Sequence, residues 1–411
     1  MLFYCPPRKD RRSCSEKNRW YALLIISLSV FFSLSLWFSA SVIAEDLRER
    51  WGLTPLMEGW LSAAVPAGFV AGAFVSALLG LADRFNTRKL FALSALAGGI
   101  LNILLLFTDT IVVGLLLRIL TGAALAGVYP PAVKLISLWF PKQRGLAIGI
   151  LIAALTLGTS LPHALFLFTA GADAGMVLIL SSALAFTAAV LMYAVLGEAP
   201  VKPNPSVFSV RLLSSVIKNR PVMLANYGYF GHMWELYGMW TWLPAFLTAS
   251  FAQSAVPDEW STAAAFTAIG AAGAVGCIAG GLLADKIGRS LLTIGAMGIS
   301  AACAISIGWT FGSAVWLTVL LAVIWGASVI ADSAQFSAAV SDFAEPEYTG
   351  TALTFQMCIG FLISVVSINL IPVFQTRMGW EWVFAVLSIG PILGMAAMWK
   401  VRSYEKNSIS L

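Results

Sequence analysis

Long apolar runs dominate this chain, and its ionisable residues fall mostly between them. Residues 20–44, 59–82 and 90–108 carry no charge, and 111–138 is interrupted only by Arg118 and Lys134. Residues 145–171 hold only His163, and 174–197 hold none. Residues 221–251 carry His232 and Glu235, while 260–284 and 290–331 are charge-free. As one helix, 290–331 would be about 63 Å long, twice the ~30 Å hydrocarbon core, so it must turn. Thr310-Phe311-Gly312-Ser313 is the natural corner, and 314–341, with Asp332 inside it, then forms the next run. Residues 350–375 and 382–399 complete a set of twelve. A helix needs about 20 apolar residues to cross a bilayer. Runs without period-2 alternation are helical rather than barrel strands, and in lipid only those two forms satisfy their backbone. The pattern predicts an all-α membrane protein of twelve spans.

Composition agrees: 59% of residues are hydrophobic and 11% charged, against roughly 25% charged in soluble domains. Lys and Arg set the orientation. Twenty of the 25 fall on the side of the N-terminus; only Arg48, Arg50 and Arg377 fall on the other, so both termini face the cytoplasm. The run behind the basic tail is 25 residues, longer than a signal-peptide core, and reads as an uncleaved first span. The net charge of +5 sits at the membrane surface and implies no nucleic-acid partner. Cys5, Cys14, Cys277, Cys303 and Cys358 form no CxxC pair and no cluster with histidine, so neither a disulfide framework nor a metal site is expected. No cofactor motif or nucleophile–base constellation appears, and the glycines of 270–281 lie within a span, where they serve packing. An enzyme is not expected.

The polar segment 198–220, with Pro200, Pro203 and Pro205, divides the spans six and six. The expected organisation is a basic tail (1–19), an N-terminal bundle (20–197), a cytoplasmic linker (198–220), a C-terminal bundle (221–402) and a tail (403–411). Leu81-Ala82-Asp83-Arg84-Phe85-Asn86 matches Leu283-Ala284-Asp285-Lys286-Ile287-Gly288, 202 residues later; Pro141 and Gly145 match Pro346 and Gly350, 205 residues later. Internal repeats are the common build of secondary transporters.

These residues resemble the major facilitator superfamily along essentially the whole chain. The family's loop motif G-x-L-A-D-x-x-G-R is met fully by Gly281 to Arg289, with Asp285 and Gly288 in place. The first copy, with Asp83, Arg84 and Arg88, departs: Leu79 and Asn86 stand where the family has glycines, and Asn86 is expected to take the tight turn by tolerating positive φ. The resemblance implies a gate in both copies. Arg118-Ile119-Leu120-Thr121-Gly122 resembles the family's R-x-x-x-G element, linked there to proton coupling; Arg118 could alternatively snorkel to the outer interface. The antiporter element of the fifth span is absent, since Gly158 to His163 reads differently. The loop Trp139 to Gly145 looks like the anion-symporter and nitrate/nitrite- or cyanate-permease-like branches, but the nitrate-binding arginines of spans two and eight are missing.

The resemblance also implies that spans one, four, seven and ten line the cavity, and most intramembrane ionisable groups fall there. Burying such groups is costly and usually functional. His232 and Glu235, three apart, share a helical face, continued by Trp242. As a pair they could exchange a proton near neutral pH. Asp332 shares a face with Gln335, and Lys134 is a candidate partner for it. Pro130 and Pro131 break span four after Tyr129, a candidate cavity hydroxyl. Lys134 could contact substrate or snorkel. Trp37 could line the cavity, and His163 reads as a packing histidine. The function expected is a proton-coupled secondary carrier of a small polar or charged solute, such as an anion, working as a monomer in the bacterial inner membrane by alternating access. An efflux carrier of amphipathic compounds and a non-transporting receptor or assembly factor are the alternatives.

Overall fold

The computed structural model describes residues 11–140, 144–169, 175–197, 209–345 and 347–409. Among them the chain is all-α, with no strand. Ten helices are long and apolar enough to cross a membrane: Pro55–Leu79, Thr87–Phe107, Ile111–Trp139, Leu146–Phe168, Gly175–Val195, Asp258–Ile287, Arg289–Thr310, Val315–Phe343, Thr349–Met378 and Trp380–Glu405. The other two expected spans are helical but atypical. The first is the shorter apolar helix Asn18–Leu34. Its α-helical bonding gives way over 35–38 to turns, in which the N–H groups of Ser35, Leu36 and Trp37 bond three residues back, and resumes as Ser39–Val42. The seventh, Arg220–Gln253, runs 34 residues and is diluted by Asn226, His232 and Glu235. The corner between spans nine and ten lies where expected: Gly312 turns at φ 65° and donates its N–H to Ser250 Oγ at 3.0 Å.

The neighbours of each span repeat along the chain. Span two packs on four as eight does on ten, and three packs on six as nine does on twelve. Span one packs on five and six, as seven does on eleven and twelve. Across these two sets, two meets eleven and five meets eight. The closest approaches repeat too. A Cβ on Gly122 would lie 2.0 Å from the Val65 carbonyl oxygen, and one on Gly326 1.9 Å from that of Ala268. A Cβ on Gly72 would lie 2.5 Å from the Ala123 oxygen, and one on Gly276 2.0 Å from that of Ala327. Glycine is therefore required at these crossings, where helix backbones touch. Val65 and Gly72 are seven residues apart and Ala268 and Gly276 eight; a π-helical turn, Thr267–Ala272, takes up the additional residue.

One expectation needs correction. Asn86 does not take positive φ: it sits at φ −60°, and its side chain accepts from the N–H groups of Arg88 and Lys89, capping the third span. The left-handed turn is made by Gly80 (φ 61°), which ends span two, and in the second copy by Gly288 (φ 88°). The end of the expected linker is helical, as Val210–Leu212 and Leu213–Lys218; residues 198–208 lie outside the described residues. The expected C-terminal tail continues the last helix to Ile409. There Glu405 accepts from the N–H groups of Arg289 (2.9 Å) and Ser290 (3.2 Å), capping span nine.

Candidate functional site

The seventh span places His232 and Glu235 one turn apart, both buried, but they do not pair as expected. Each reaches a different helix. His232 Nδ1 lies 2.9 Å from Asp332 Oδ1, with both side chains almost fully shielded. Glu235 accepts from Ser300 Oγ at 2.7 Å in span nine and from Trp325 Nε1 at 2.8 Å in span ten. Three-residue spacing makes two side chains neighbours on a helix, yet partners on adjacent helices offer better hydrogen-bond geometry. Ser300 carried no signal in the sequence, being an ordinary residue of an apolar run, whereas Trp325 shares the helical face of Asp332, one turn behind Ser328.

Asp332 marks a break in span ten: one helix ends at Ala331 and the next begins at Ser333. Aspartate is a poor helix-interior residue because its carboxylate competes for nearby backbone groups. Its partner is His232 rather than Lys134, which is half-buried on Tyr129–Trp139. His232 Nε2 has no hydrogen-bond partner among the described residues. Its ring packs beside Tyr229 and Phe336, at centroid distances of 5.9 and 5.5 Å. Gln335 is buried one turn on. Span four breaks over 126–128 at the matching level, and half-buried Tyr129 opens its second segment.

Arg118 is fully buried and does not snorkel. It donates to the carbonyls of Leu36 (2.9 Å) and Trp37, and more weakly to Ser39 Oγ (3.4 Å) and Asn102 Oδ1 (3.5 Å). These carbonyls lie in the turned stretch of span one, where no backbone N–H among the described residues bonds them; buried backbone acceptors need other donors. Asn102 completes the clamp, accepting from Ser39 Oγ and donating to Leu178 O and Ser182 Oγ. No carboxylate contacts Arg118 among the described residues. The break in span one was missed because 35–38 (Ser-Leu-Trp-Phe) contains neither glycine nor proline; its one sequence trace is the arginine that serves it.

Next to that break, aromatic rings from spans one, two, seven and eleven meet. Trp37 lies 5.7 Å from Phe69, 5.4 Å from Tyr237 and 5.8 Å from Phe361, and Phe69 lies 4.7 Å from Phe361. Tyr237 is 5.4 Å from Trp240, which Phe38 meets edge-on. Trp242, one expected lining residue, is buried nearby on the seventh span and donates to Ile368 O at 2.8 Å in span eleven.

The expected gate residues lie at the ends of their spans. Arg289 reaches Asp342 at 2.7 Å, tying the start of span nine to the end of span ten. Gly281 is open on its Cβ side, and Asp285 is exposed. In the first copy Arg84 is exposed and Arg88 half-buried; the side chain of Asp83 lies outside the described residues. His163 is buried in span five. Cys277, Cys303 and Cys358 are free thiols, and Cys5 and Cys14 have side chains outside the described residues.

The protein named Probable sulfoacetate transporter SauU, from Cupriavidus necator, is 25% identical over 295 residues, covering 66% of this chain and 66% of that protein. Niacin transporter NiaP from Acinetobacter baylyi is 27% identical over 323 residues, 69% of this chain and 70% of that protein. The chain thus spans about two thirds of the length of these relatives. The sequence model of the Major Facilitator Superfamily matches residues 25–368, and with the repeated helix neighbours and the loop motif already described, the chain is a multi-pass membrane protein belonging to that superfamily.

Proposed function

We propose that this protein is a secondary carrier that moves a small organic anion across the cytoplasmic membrane by alternating access, coupled to protons. The observation that carries the reading is the buried His232–Asp332 contact at the break in span ten. Polar groups at this depth cost several kcal/mol unless they act or are paired. Here one imidazole nitrogen faces a carboxylate and the other has no partner among the described residues. A proton arriving at Nε2 turns the contact into a charged pair; its departure leaves a neutral imidazole beside the carboxylate. Glu235, one turn along the same span and bound to Ser300 and Trp325, couples the state of span seven to spans nine and ten. The Tyr229 ring stacks beside His232 at 5.9 Å, and Cys277 and Glu235 lie within electrostatic reach of Asp332.

The names of the relatives support an anionic solute, since sulfoacetate and niacin both carry an acid group. The repeated neighbours support two halves, 20–197 and 221–402, meeting through spans two and eleven and five and eight. Rocking of such halves about a midplane site is the usual mode of carriers built from repeats. The Lys and Arg bias of the loops supports cytoplasmic termini.

The test is uptake of labelled organic anions into proteoliposomes under an imposed acid-outside gradient. Glu235→Gln should abolish gradient-driven accumulation while solute exchange at symmetric pH persists. Full accumulation by the variant would remove Glu235 from the coupling. Absence of gradient-dependent uptake for every anion tried would sink the reading.

A further inference from the structure

We infer that the aromatic cluster between spans one, two, seven and eleven is the substrate site, and that it takes a planar aromatic monocarboxylate. This rests on the carrier reading and deepens it. The first observation is a pair of buried donors without acceptors. A tryptophan indole can only donate, and buried donors are nearly always satisfied. Trp242 donates to Ile368 O and Trp325 to Glu235. Trp37 and Trp240, 2% and 1% exposed, have no acceptor for their N–H among the described residues. They flank the same ring, Tyr237, at 5.4 Å each. The third such indole, Trp139, lies at the far end of its helix and outside the cluster.

The second observation is charge. Arg118 donates to the carbonyl of Trp37 itself, so a buried cation with no carboxylate partner among the described residues sits against the cluster. An uncompensated buried charge is costly, and an anion among the rings would offset it. The third observation is shape. Phe69, Phe361, Tyr237 and Trp37 come from both sets of spans, with centroids 4.7 to 5.8 Å apart. Parting the two sets by the thickness of one ring would leave facing aromatic walls, which favour a flat ring over a chain. The carboxylate would take the indole N–H groups, and the ring would lie between Phe69 and Phe361.

The experiment measures binding of nicotinate and benzoate to the detergent-purified full chain, by ligand-induced thermal shift and calorimetry, with cyclohexanecarboxylate and acetate as comparisons. Both aromatic acids should bind, cyclohexanecarboxylate about tenfold more weakly and acetate not measurably. Trp37→Phe and Trp240→Phe keep the rings and delete the donors; each should weaken nicotinate about tenfold, the loss of one hydrogen bond to a charged acceptor. Trp139→Phe, which deletes the unpaired indole outside the cluster and leaves Trp37 and Trp240 in place, is the control and should bind nicotinate as the wild type does. Equal nicotinate affinity in the wild type and a monodisperse Trp240→Phe would overturn the inference, as would equal binding of all four acids. A cluster serving only as a gate would alter uptake rates and leave equilibrium binding unchanged, which also refutes it. If Trp37→Phe does not fold, Trp240→Phe decides. Gradient-driven transport of acetate with no binding of nicotinate would overturn this inference and leave the carrier reading standing.

Discussion

Substituting Gly122 by alanine tests the helix contacts most directly. The new Cβ would lie 2.0 Å from the Val65 carbonyl oxygen, 2.8 Å from its carbon and 2.9 Å from the Phe69 nitrogen. Carbon makes favourable contact at about 3.5 Å, so spans two and four must separate by roughly 1 Å or more at this crossing. The obstacle is backbone, so no side chain can rotate away. Overpacking of this kind costs about 1–3 kcal/mol. In a chain of this size a kilocalorie moves Tm by roughly 1–2 °C, so Gly122→Ala should lower Tm by about 1–6 °C. Gly326→Ala, with its Cβ 1.9 Å from the Ala268 oxygen, should do the same in the second set of spans. Gly149 and Gly295 are helical and have nothing within 4 Å of an added Cβ. Alanine there removes the entropy cost of glycine and should leave Tm level or raise it, by about 0.5–1 kcal/mol of stability. The assay is thermal unfolding of the four detergent-solubilised variants followed by fluorescence-detected size exclusion. Gly122→Ala and Gly326→Ala melting with the controls would refute both the contacts and the matching of the halves built on them.

Asp332→Asn should keep the fold and solute exchange but lose proton-driven accumulation, read from proteoliposome uptake at imposed pH gradients; normal accumulation would dismiss the His232–Asp332 contact as the coupling group. Ser300→Ala or Trp325→Phe each removes one donor from Glu235 and should cost roughly 1–3 kcal/mol, the range for leaving a buried acceptor unsatisfied, seen as a lower Tm in detergent. Glu405→Ala removes the cap from span nine and should cost about 1 kcal/mol; a variant melting with the wild type would show the cap to be idle.

The spans, their count and the loop motif were legible because hydrocarbon thickness and backbone satisfaction leave few ways to arrange such runs. The corner at 310–313 was legible for the same reason, since a charge-free stretch of twice the needed length has to turn. The ionisable residues were legible as important, but their partners were not. His232 and Glu235 looked paired because spacing along one helix is all that a sequence displays; their actual partners are set by how spans nine and ten pack beside seven. Arg118 was legible as a charge within a span, but its hydrogen bonds to the carbonyls of Leu36 and Trp37 were not, because no local breaker announces the turns there. Asn86 was seen as a stand-in for glycine in φ, while its use is the oxygen it offers to two amides.

The π-turn in span eight has a consequence for how such a chain can change length. One residue added to a regular α-helix swings everything beyond it by about 100°, which would carry Gly276 and Gly280 away from span ten and into lipid. A single wide turn swallows the additional residue locally, so the crossings at Ala327 and Ala331 stay in register. A duplicated gene can therefore drift by a codon inside one copy of a membrane helix without unlocking the seam between that helix and its neighbour.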